Sequence, residues 1–85
     1  MYRVYVIRNA ACKFYIGLSE NVDVRLAQHN AGESKFTRGK GPWTLFWTSE
    51  AMSLHDARLL ENQLKKQKGG NGFWKMIGID RSPVS

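Results

Sequence analysis

Three polar residues of this 85-residue chain have types and spacings that suit catalysis: Arg25, His29 and Glu61. Arg25 and His29 are spaced i and i+4, so they lie together along one edge of a predicted helix. Glu61 falls inside the apolar stripe of another predicted helix, where an ionised carboxylate is costly to desolvate. Mg²⁺ commonly uses one or two carboxylates, so Glu61 is a candidate metal ligand. An i,i+4 ion pair with Lys65, contributing about 0.3–0.5 kcal/mol, explains the same residue equally well.

Two tyrosines, Tyr5 and Tyr15, complete the candidate set. Strands are enriched in tyrosine, so their residue type alone favours a role in the core. Arg25 alone is explained as a solvated side chain, and His29 as a cation interacting with the dipole at a helix C-terminus. Together, however, these side chains place two phenols, a guanidinium and an imidazole on elements that can converge with the carboxylate. The set therefore predicts a polar site.

The charge of the chain points to a polyanionic partner. Thirteen Lys and Arg against seven Asp and Glu give a net charge of +6, which favours nucleic acid over the alternative of basic residues serving solubility. Two groups of cations are predicted to contact backbone phosphates: Lys35, Arg38 and Lys40 in a loop, and Lys65, Lys66 and Lys68 farther along. We expect DNA as the partner, with RNA remaining open.

Composition excludes several other classes of protein. The single cysteine, Cys12, rules out an internal disulfide framework, and with two histidines it offers too few ligands for a zinc finger. No apolar run approaches the ~18 residues of a membrane span, and the first residues lack the pattern of a signal peptide. We therefore expect no membrane association and a cytoplasmic location.

Hydrophobic periodicity and turn residues predict the elements that must position these side chains. The order is β-β-α-β-α-α, with strands at residues 2–8, 13–18 and 43–48 and helices at 21–30, 53–68 and after Asn71. This is an α+β fold of the two-layer α/β type, in which helices flank a three-stranded, mainly antiparallel sheet. Residues 1–78 are predicted to form one domain, and residues 79–85 a short tail.

Finer details of the sheet are also predicted from the pattern. The first strand is apolar on both faces, which is typical of a central strand. If Arg8 and Cys12 close the first turn, antiparallel register sets Tyr5 directly opposite Tyr15 on one face. In the third strand, Trp43, Leu45 and Trp47 alternate with more polar positions, which predicts that they share a face. These aromatics also allow a third interpretation, a structural interaction domain without a site.

The order of several short motifs resembles the GIY-YIG nuclease superfamily. Arg3-Val4-Tyr5 is followed by Tyr15-Ile16-Gly17, then by Arg25 and His29. The similarity continues through two longer stretches and covers nearly the whole chain: Thr37-Arg38-Gly39-Lys40-Gly41-Pro42-Trp43 and Glu61-Asn62-Gln63-Leu64-Lys65-Lys66. Arg3 stands where the first motif usually has glycine, and the family's late polar residue has only Asn71 as a candidate counterpart. The chain is most similar to small, stand-alone bacterial members.

This resemblance implies a divalent-metal-dependent endonuclease that cleaves DNA phosphodiesters with Mg²⁺ or Mn²⁺. By the same resemblance, Glu61 holds the metal, and Tyr5 is the general base or aligns the attacking water. Tyr15 contacts the phosphate, Arg25 stabilises its developing charge, and His29 assists Tyr5 or orients water. Nearby cations are expected to lower the pKa of Tyr5. Action directed by DNA structure or a partner, in repair or processing, is the expected role, and a catalytically silent nucleic-acid-binding module is the alternative.

Overall fold

The computed structural model describes residues 1–67, which form a three-stranded antiparallel sheet and two helices. The elements are β1 (Arg3–Asn9), β2 (Phe14–Ser19), α1 (Val22–Asn30), β3 (Trp43–Thr48) and α2 (Leu54–Gln67). The predicted α+β fold and its element order through the second helix are confirmed. The predicted last helix, the boundary between residues 1–78 and 79–85, Lys68 and Asn71 lie outside the described residues.

Strand β1 occupies the centre of the sheet, in the spatial order β2-β1-β3, as its two apolar faces predicted. One face carries a core cluster with α2: Val4, Val6, Ile16, Ala57 and Leu64. The other face carries a second cluster with α1: Tyr5, Ile7, Val22 and Trp43. Because successive side chains of a strand point to opposite faces, the two helices cover opposite sides of the sheet. The structure therefore has three layers, with the sheet between the two helices, rather than the predicted two.

The turn between β1 and β2 is closed by Asn9 and Lys13. The backbone N–H of Asn9 donates to the carbonyl of Lys13 at 3.1 Å. The side-chain oxygen of Asn9 accepts from the backbone N–H groups of Ala11 and Lys13 at 3.1 and 2.9 Å. Cys12 takes a left-handed φ of 61°. The predicted closure by Arg8 and Cys12 is wrong, because the asparagine side chain organises a turn of the same length that lies one residue farther along the chain.

This turn changes the register of the hairpin. Tyr5 pairs with Gly17, and Ile7 pairs with Tyr15, so Tyr5 and Tyr15 are not directly opposite as predicted. The register differs by two residues, and the side-chain period of a strand is also two. The two tyrosines consequently stay on the same face, as diagonal neighbours.

Strand β3 contains an irregularity that breaks its predicted alternation. The β1–β3 register shifts within the strands, which leaves Phe46 as an extra residue on β3. Trp43 lies in the core cluster on the α1 side, whereas Phe46 and Trp47 pack against the cluster on the α2 side. Leu45 is exposed. The prediction that the two tryptophans and Leu45 share a face is therefore wrong.

Side-chain caps define where the helices begin. The Asn21 side-chain oxygen accepts from the backbone N–H of Val24 at 3.2 Å, and Gly32 follows the end of α1 with a φ of +80°. The Ser53 hydroxyl accepts from the backbone N–H of Asp56 at 3.1 Å, which is one half of the predicted capping box. Within residues 1–67, neither helix has the length and apolar character needed to cross a membrane.

Candidate active site

Three of the predicted site residues meet on the α1 face of the sheet. The Tyr5 hydroxyl and His29 Nε2 are hydrogen-bonded at 2.7 Å, and both residues are only 1% exposed. The Tyr15 ring packs edge-on against His29, with 4.9 Å between ring centroids, and lies 6.5 Å from the Tyr5 ring. Strands β1 and β2 and helix α1 thus bring two phenols and an imidazole together.

Gly17 permits this placement of Tyr5. A Cβ atom at Gly17 would lie 2.6 Å from the Tyr5 hydroxyl oxygen and 2.7 Å from its Cζ. The phenol therefore crosses directly over its strand partner, in space that any other residue would occupy. From the sequence, Gly17 is identified only as the last residue of the Tyr15-Ile16-Gly17 motif. The contact itself follows from the register that the Asn9 turn sets.

Thr37 is a site residue that the sequence reasoning missed. Its Oγ1 lies 2.8 Å from His29 Nδ1, so the imidazole is hydrogen-bonded at both nitrogens. Thr37 is buried, and its carbonyl accepts from the Trp43 indole N–H at 3.2 Å. A threonine in a glycine-rich basic loop carries no signal of its own, because the approach of the loop to α1 is a tertiary contact.

Burial decides the protonation state of the central pair. Desolvation, reinforced by the neighbouring Tyr15, raises the pKa of Tyr5 to about 12, while the positive charge of Arg25 opposes this. Arg25 lowers the pKa of Tyr5, as expected of a nearby cation, but burial outweighs the guanidinium and the pKa is raised on balance. Desolvation, together with Arg25, lowers the pKa of His29. Burial thus favours the neutral form of both groups, and it disfavours the interpretation of His29 as a helix C-terminal cation.

These protonation states assign the hydrogen bonds. A neutral phenol carries its proton, and the nearest acceptor for it is the unprotonated Nε2 of His29. The imidazole proton then resides on Nδ1 and is donated to the Thr37 hydroxyl oxygen. The chain Tyr5–His29–Thr37 therefore holds the imidazole in one orientation and one tautomer.

Arg25 is half-buried beside this pair. Its Nη1 donates to the Gln28 side-chain oxygen at 2.9 Å, within the same helix. Its charge affects the pKa of both Tyr5 and His29, so it lies within electrostatic reach of them. A purely solvated role does not account for this position. The guanidinium is available to an anion that approaches the two phenols.

Glu61 forms the predicted ion pair with Lys65, and its carboxylate also lies close to the candidate site. Its side chain is only 14% exposed, and Oε2 lies 3.3 Å from Lys65 Nζ in an i,i+4 ion pair. Its negative charge also contributes to the raised pKa of Tyr5, so it faces the same site. Among residues 1–67, no three His, Cys, Asp or Glu side chains group to hold a metal. A single carboxylate fits Mg²⁺ or Mn²⁺ that keeps most of its waters, and does not fit a zinc-type site.

The predicted phosphate contacts occupy different parts of the surface. Lys35, Lys40 and Lys66 are exposed, and Arg38 donates through Nε to the Gly32 carbonyl at 2.9 Å. Lys40 and Lys65, one from each predicted group, line the same cleft as Tyr15. The fold therefore brings part of each basic group to the candidate site.

Comparison with known proteins identifies the family. The model of the GIY-YIG catalytic domain matches residues 1–73, so the chain belongs to the GIY-YIG family, a nuclease family whose substrates are nucleic acids. The predicted resemblance is confirmed. The chain is 39% identical over 67 residues to a UPF0213 protein of Halobacterium salinarum, covering 78% of this chain and 87% of that one.

Two further relatives carry the same name. A UPF0213 protein of Aeromonas salmonicida is 40% identical over 65 residues, which are 75% of this chain but only 48% of the relative. The solution NMR structure of a UPF0213 protein from Bacillus halodurans matches with a TM-score of 0.50 and 31% identity, covering 81% of this chain and 76% of that one. These names specify no activity.

Proposed function

We propose that this chain is a divalent-cation-dependent endonuclease that hydrolyses DNA phosphodiester bonds. The observation that carries the proposal is the 2.7 Å hydrogen bond between the Tyr5 hydroxyl and the neutral imidazole of His29. Burying a phenol and an imidazole costs desolvation free energy, and an apolar pair would pack in a core without polar atoms that need hydrogen bonds. The hydrogen-bonded phenol–imidazole pair can, however, accept a proton from a bound water.

The directions of the two pKa shifts support one route for the proton. With a pKa of about 12, Tyr5 would be phenolate in only about 1 molecule in 10⁵ at pH 7, so it is a poor base by itself. His29 is unprotonated at that pH and accepts the Tyr5 proton at Nε2. Tyr5 then takes a proton from the attacking water as the new P–O bond forms and the P–O bond to the leaving nucleoside oxygen breaks, and that oxygen takes its proton from solvent. His29 is thus the basic group, and Tyr5 relays the proton to it.

The other side chains act on the phosphate. Hydrolysis develops negative charge on the phosphate oxygens, and Arg25 would stabilise that charge. The Tyr15 phenol, packed edge-on against His29, is suited to donate to a phosphate oxygen. A divalent cation held by Glu61 would supply Lewis-acid stabilisation of the same charge. The exposed lysines give affinity that does not depend on base sequence.

We further propose that the enzyme acts in DNA repair or processing and is directed by DNA structure or a partner. A second candidate, a catalytically silent nucleic-acid-binding module, is favoured by one observation. The Lys65 ammonium lies 3.3 Å from the Glu61 carboxylate and neutralises its charge. This ion pair would have to break before Glu61 could bind a divalent cation. The module would keep the fold and the basic surface without turnover.

Glu61→Gln separates the two candidates. The change keeps the side-chain volume and removes the charge, so Mg²⁺- or Mn²⁺-dependent nicking of plasmid, branched and single-stranded DNA should be lost while DNA binding survives. Loss of the half-exposed ion pair should change stability by only a few tenths of a kcal/mol. Glu50→Gln, an exposed carboxylate, is the control and should cleave as wild type does.

Two results would contradict the proposal. Equal cleavage by wild type and Glu61→Gln would exclude Glu61 as the essential metal ligand. No cleavage by either protein, with normal DNA binding, would favour the silent module.

A further inference from the structure

A cleft of about 600 Å³ beside the candidate site combines aromatic walls with a cationic rim. Apolar and aromatic side chains form its walls: Phe14, Tyr15, Ile16, Phe36 and Trp43. Three ammonium groups line it as well: Lys13, Lys40 and Lys65. We call this the Phe36 cleft, because Phe36 is its most accessible aromatic, at 69% exposed.

Phe36 is presented by an anchored turn of the basic loop. Its neighbours Ser34 and Thr37 are both buried. The backbone N–H groups of Thr37 and Arg38 donate to the Ser34 carbonyl at 3.3 and 3.0 Å, and that of Lys40 donates to the Thr37 carbonyl at 3.2 Å. The aromatic ring is therefore held outward by fixed backbone, and little ordering is required when it binds a ligand.

The chemistry of the cleft fits a nucleotide. A single exposed phenylalanine is unremarkable, but one surrounded by three lysines offers a stacking surface for a base and cations for the adjoining phosphates. In a duplex both faces of a base are covered by its neighbours, so only an unpaired or flipped base can stack on Phe36.

The geometry relates the cleft to the chemistry. Tyr15 lines the cleft and also packs edge-on against His29, 4.9 Å away between ring centroids. A phosphate next to a base in the cleft therefore approaches the Tyr5–His29 pair. We propose that the Phe36 cleft binds one unpaired nucleobase of the substrate, stacked on Phe36, and so places the adjoining phosphate at the site. This rests on the proposed action on nucleic acid and adds the state of the base that is recognised.

Binding measured in EDTA tests the cleft without requiring cleavage. The probes are a short single-stranded DNA oligonucleotide carrying one 2-aminopurine and the blunt-ended duplex that it forms with its complement. Phe36→Ala should weaken single-strand binding by roughly 5- to 150-fold, the range for loss of one base–aromatic stack, and should abolish the quenching of 2-aminopurine. Duplex affinity should stay unchanged. Phe36→Trp should preserve both single-strand readouts.

A matched control removes an exposed apolar side chain elsewhere. Leu59 on α2 is exposed and lies outside the lining of the cleft, so Leu59→Ala should bind both probes as wild type does. Melting temperatures of the Phe36 variants should equal that of wild type, because the ring buries little area.

Three outcomes would overturn the proposal: unchanged single-strand affinity in Phe36→Ala, an equal loss on both probes, or self-association of wild type that Phe36→Ala abolishes. The last would make the cleft an interface between copies of the chain. The test also distinguishes this proposal from the nuclease proposal. Phe36-dependent binding without Mg²⁺- or Mn²⁺-dependent cleavage would support the base site and refute the nuclease, and cleavage with Phe36-independent binding would do the reverse.

Discussion

Gly17→Ala displaces the Tyr5 phenol without removing any functional group. The new Cβ would lie 2.6 Å from the Tyr5 hydroxyl oxygen, whereas ordinary van der Waals contact begins at 3.4 Å. The phenol must therefore move by about 0.8 Å. The Tyr5 ring is buried and has little room to move, and its hydroxyl is bonded to His29 at 2.7 Å. A shift of about 0.8 Å therefore breaks or badly distorts that hydrogen bond.

The substitution should affect both catalysis and stability. Misplacing a reacting group by about 1 Å costs on the order of 10²-fold in rate, and we expect a loss of that size in single-turnover cleavage. Overpacking of a buried position costs about 1–3 kcal/mol, and each kcal/mol lowers the melting temperature of a domain of this size by roughly 4–8 °C. DNA affinity should change little, because the exposed lysines are untouched.

Gly39→Ala is the matched control for lost stability. Gly39 has a φ of +75°, and nothing lies within 4 Å of a Cβ placed there. An alanine in this left-handed conformation costs about 1–2 kcal/mol through backbone strain alone. Cleavage by both variants is measured well below their melting temperatures, and the ¹⁵N signals of the His29 imidazole are recorded by NMR. Only Gly17→Ala should change those signals and the rate.

The reasoning would be refuted by a Gly17→Ala protein that retains the wild-type rate and the wild-type His29 signals. Equal losses of rate in Gly17→Ala and Gly39→Ala would attribute the effect to general destabilisation rather than to Tyr5. Unchanged His29 signals with a lost rate would show that the phenol acts independently of the imidazole.

Three further predictions concern His29, Thr37 and Arg25. Thr37→Val leaves the Nδ1 proton of His29 without an acceptor, so it should destabilise the fold by about 1–3 kcal/mol and shift the pH–rate profile. Thr37→Ser should restore both the stability and the profile. An unshifted profile in Thr37→Val would show that Thr37 does not control the tautomer of His29. Because the folded-state pKa of His29 lies below its ordinary 6.5, the unfolded chain binds the proton first, and stability should be lost as pH falls below about 6.5. Melting curves between pH 8 and 5 check this, and an equal pH dependence in His29→Gln would contradict it. Arg25→Ala should lower single-turnover cleavage by ~10²–10³-fold at saturating DNA, and a loss of affinity alone would make Arg25 a docking residue.

Much of the fold was predictable because its causes are local in the chain. Apolar residues on both faces of β1 require a central strand, and a side-chain cap at Asn21 begins α1 at the predicted place. The i,i+4 spacing of Arg25 and His29 puts them on one edge of that helix wherever it packs. The order of motifs also sufficed to predict the family, which the match over residues 1–73 confirms.

Only the tertiary structure decided the details that make the site. The Asn9 side chain selects the hairpin register, which lays the Tyr5 phenol over Gly17. The extra residue in β3 lets Trp43 pack on one face of the sheet while Phe46 and Trp47 pack on the other. The hydrophobic periodicity of a single strand does not predict such a change of face. Thr37 reaches His29 because the loop that directly follows α1 folds back onto the last turn of that helix. The pKa of Tyr5 follows from the balance between burial and the charge of neighbouring groups, and both terms exist only once the chain has folded.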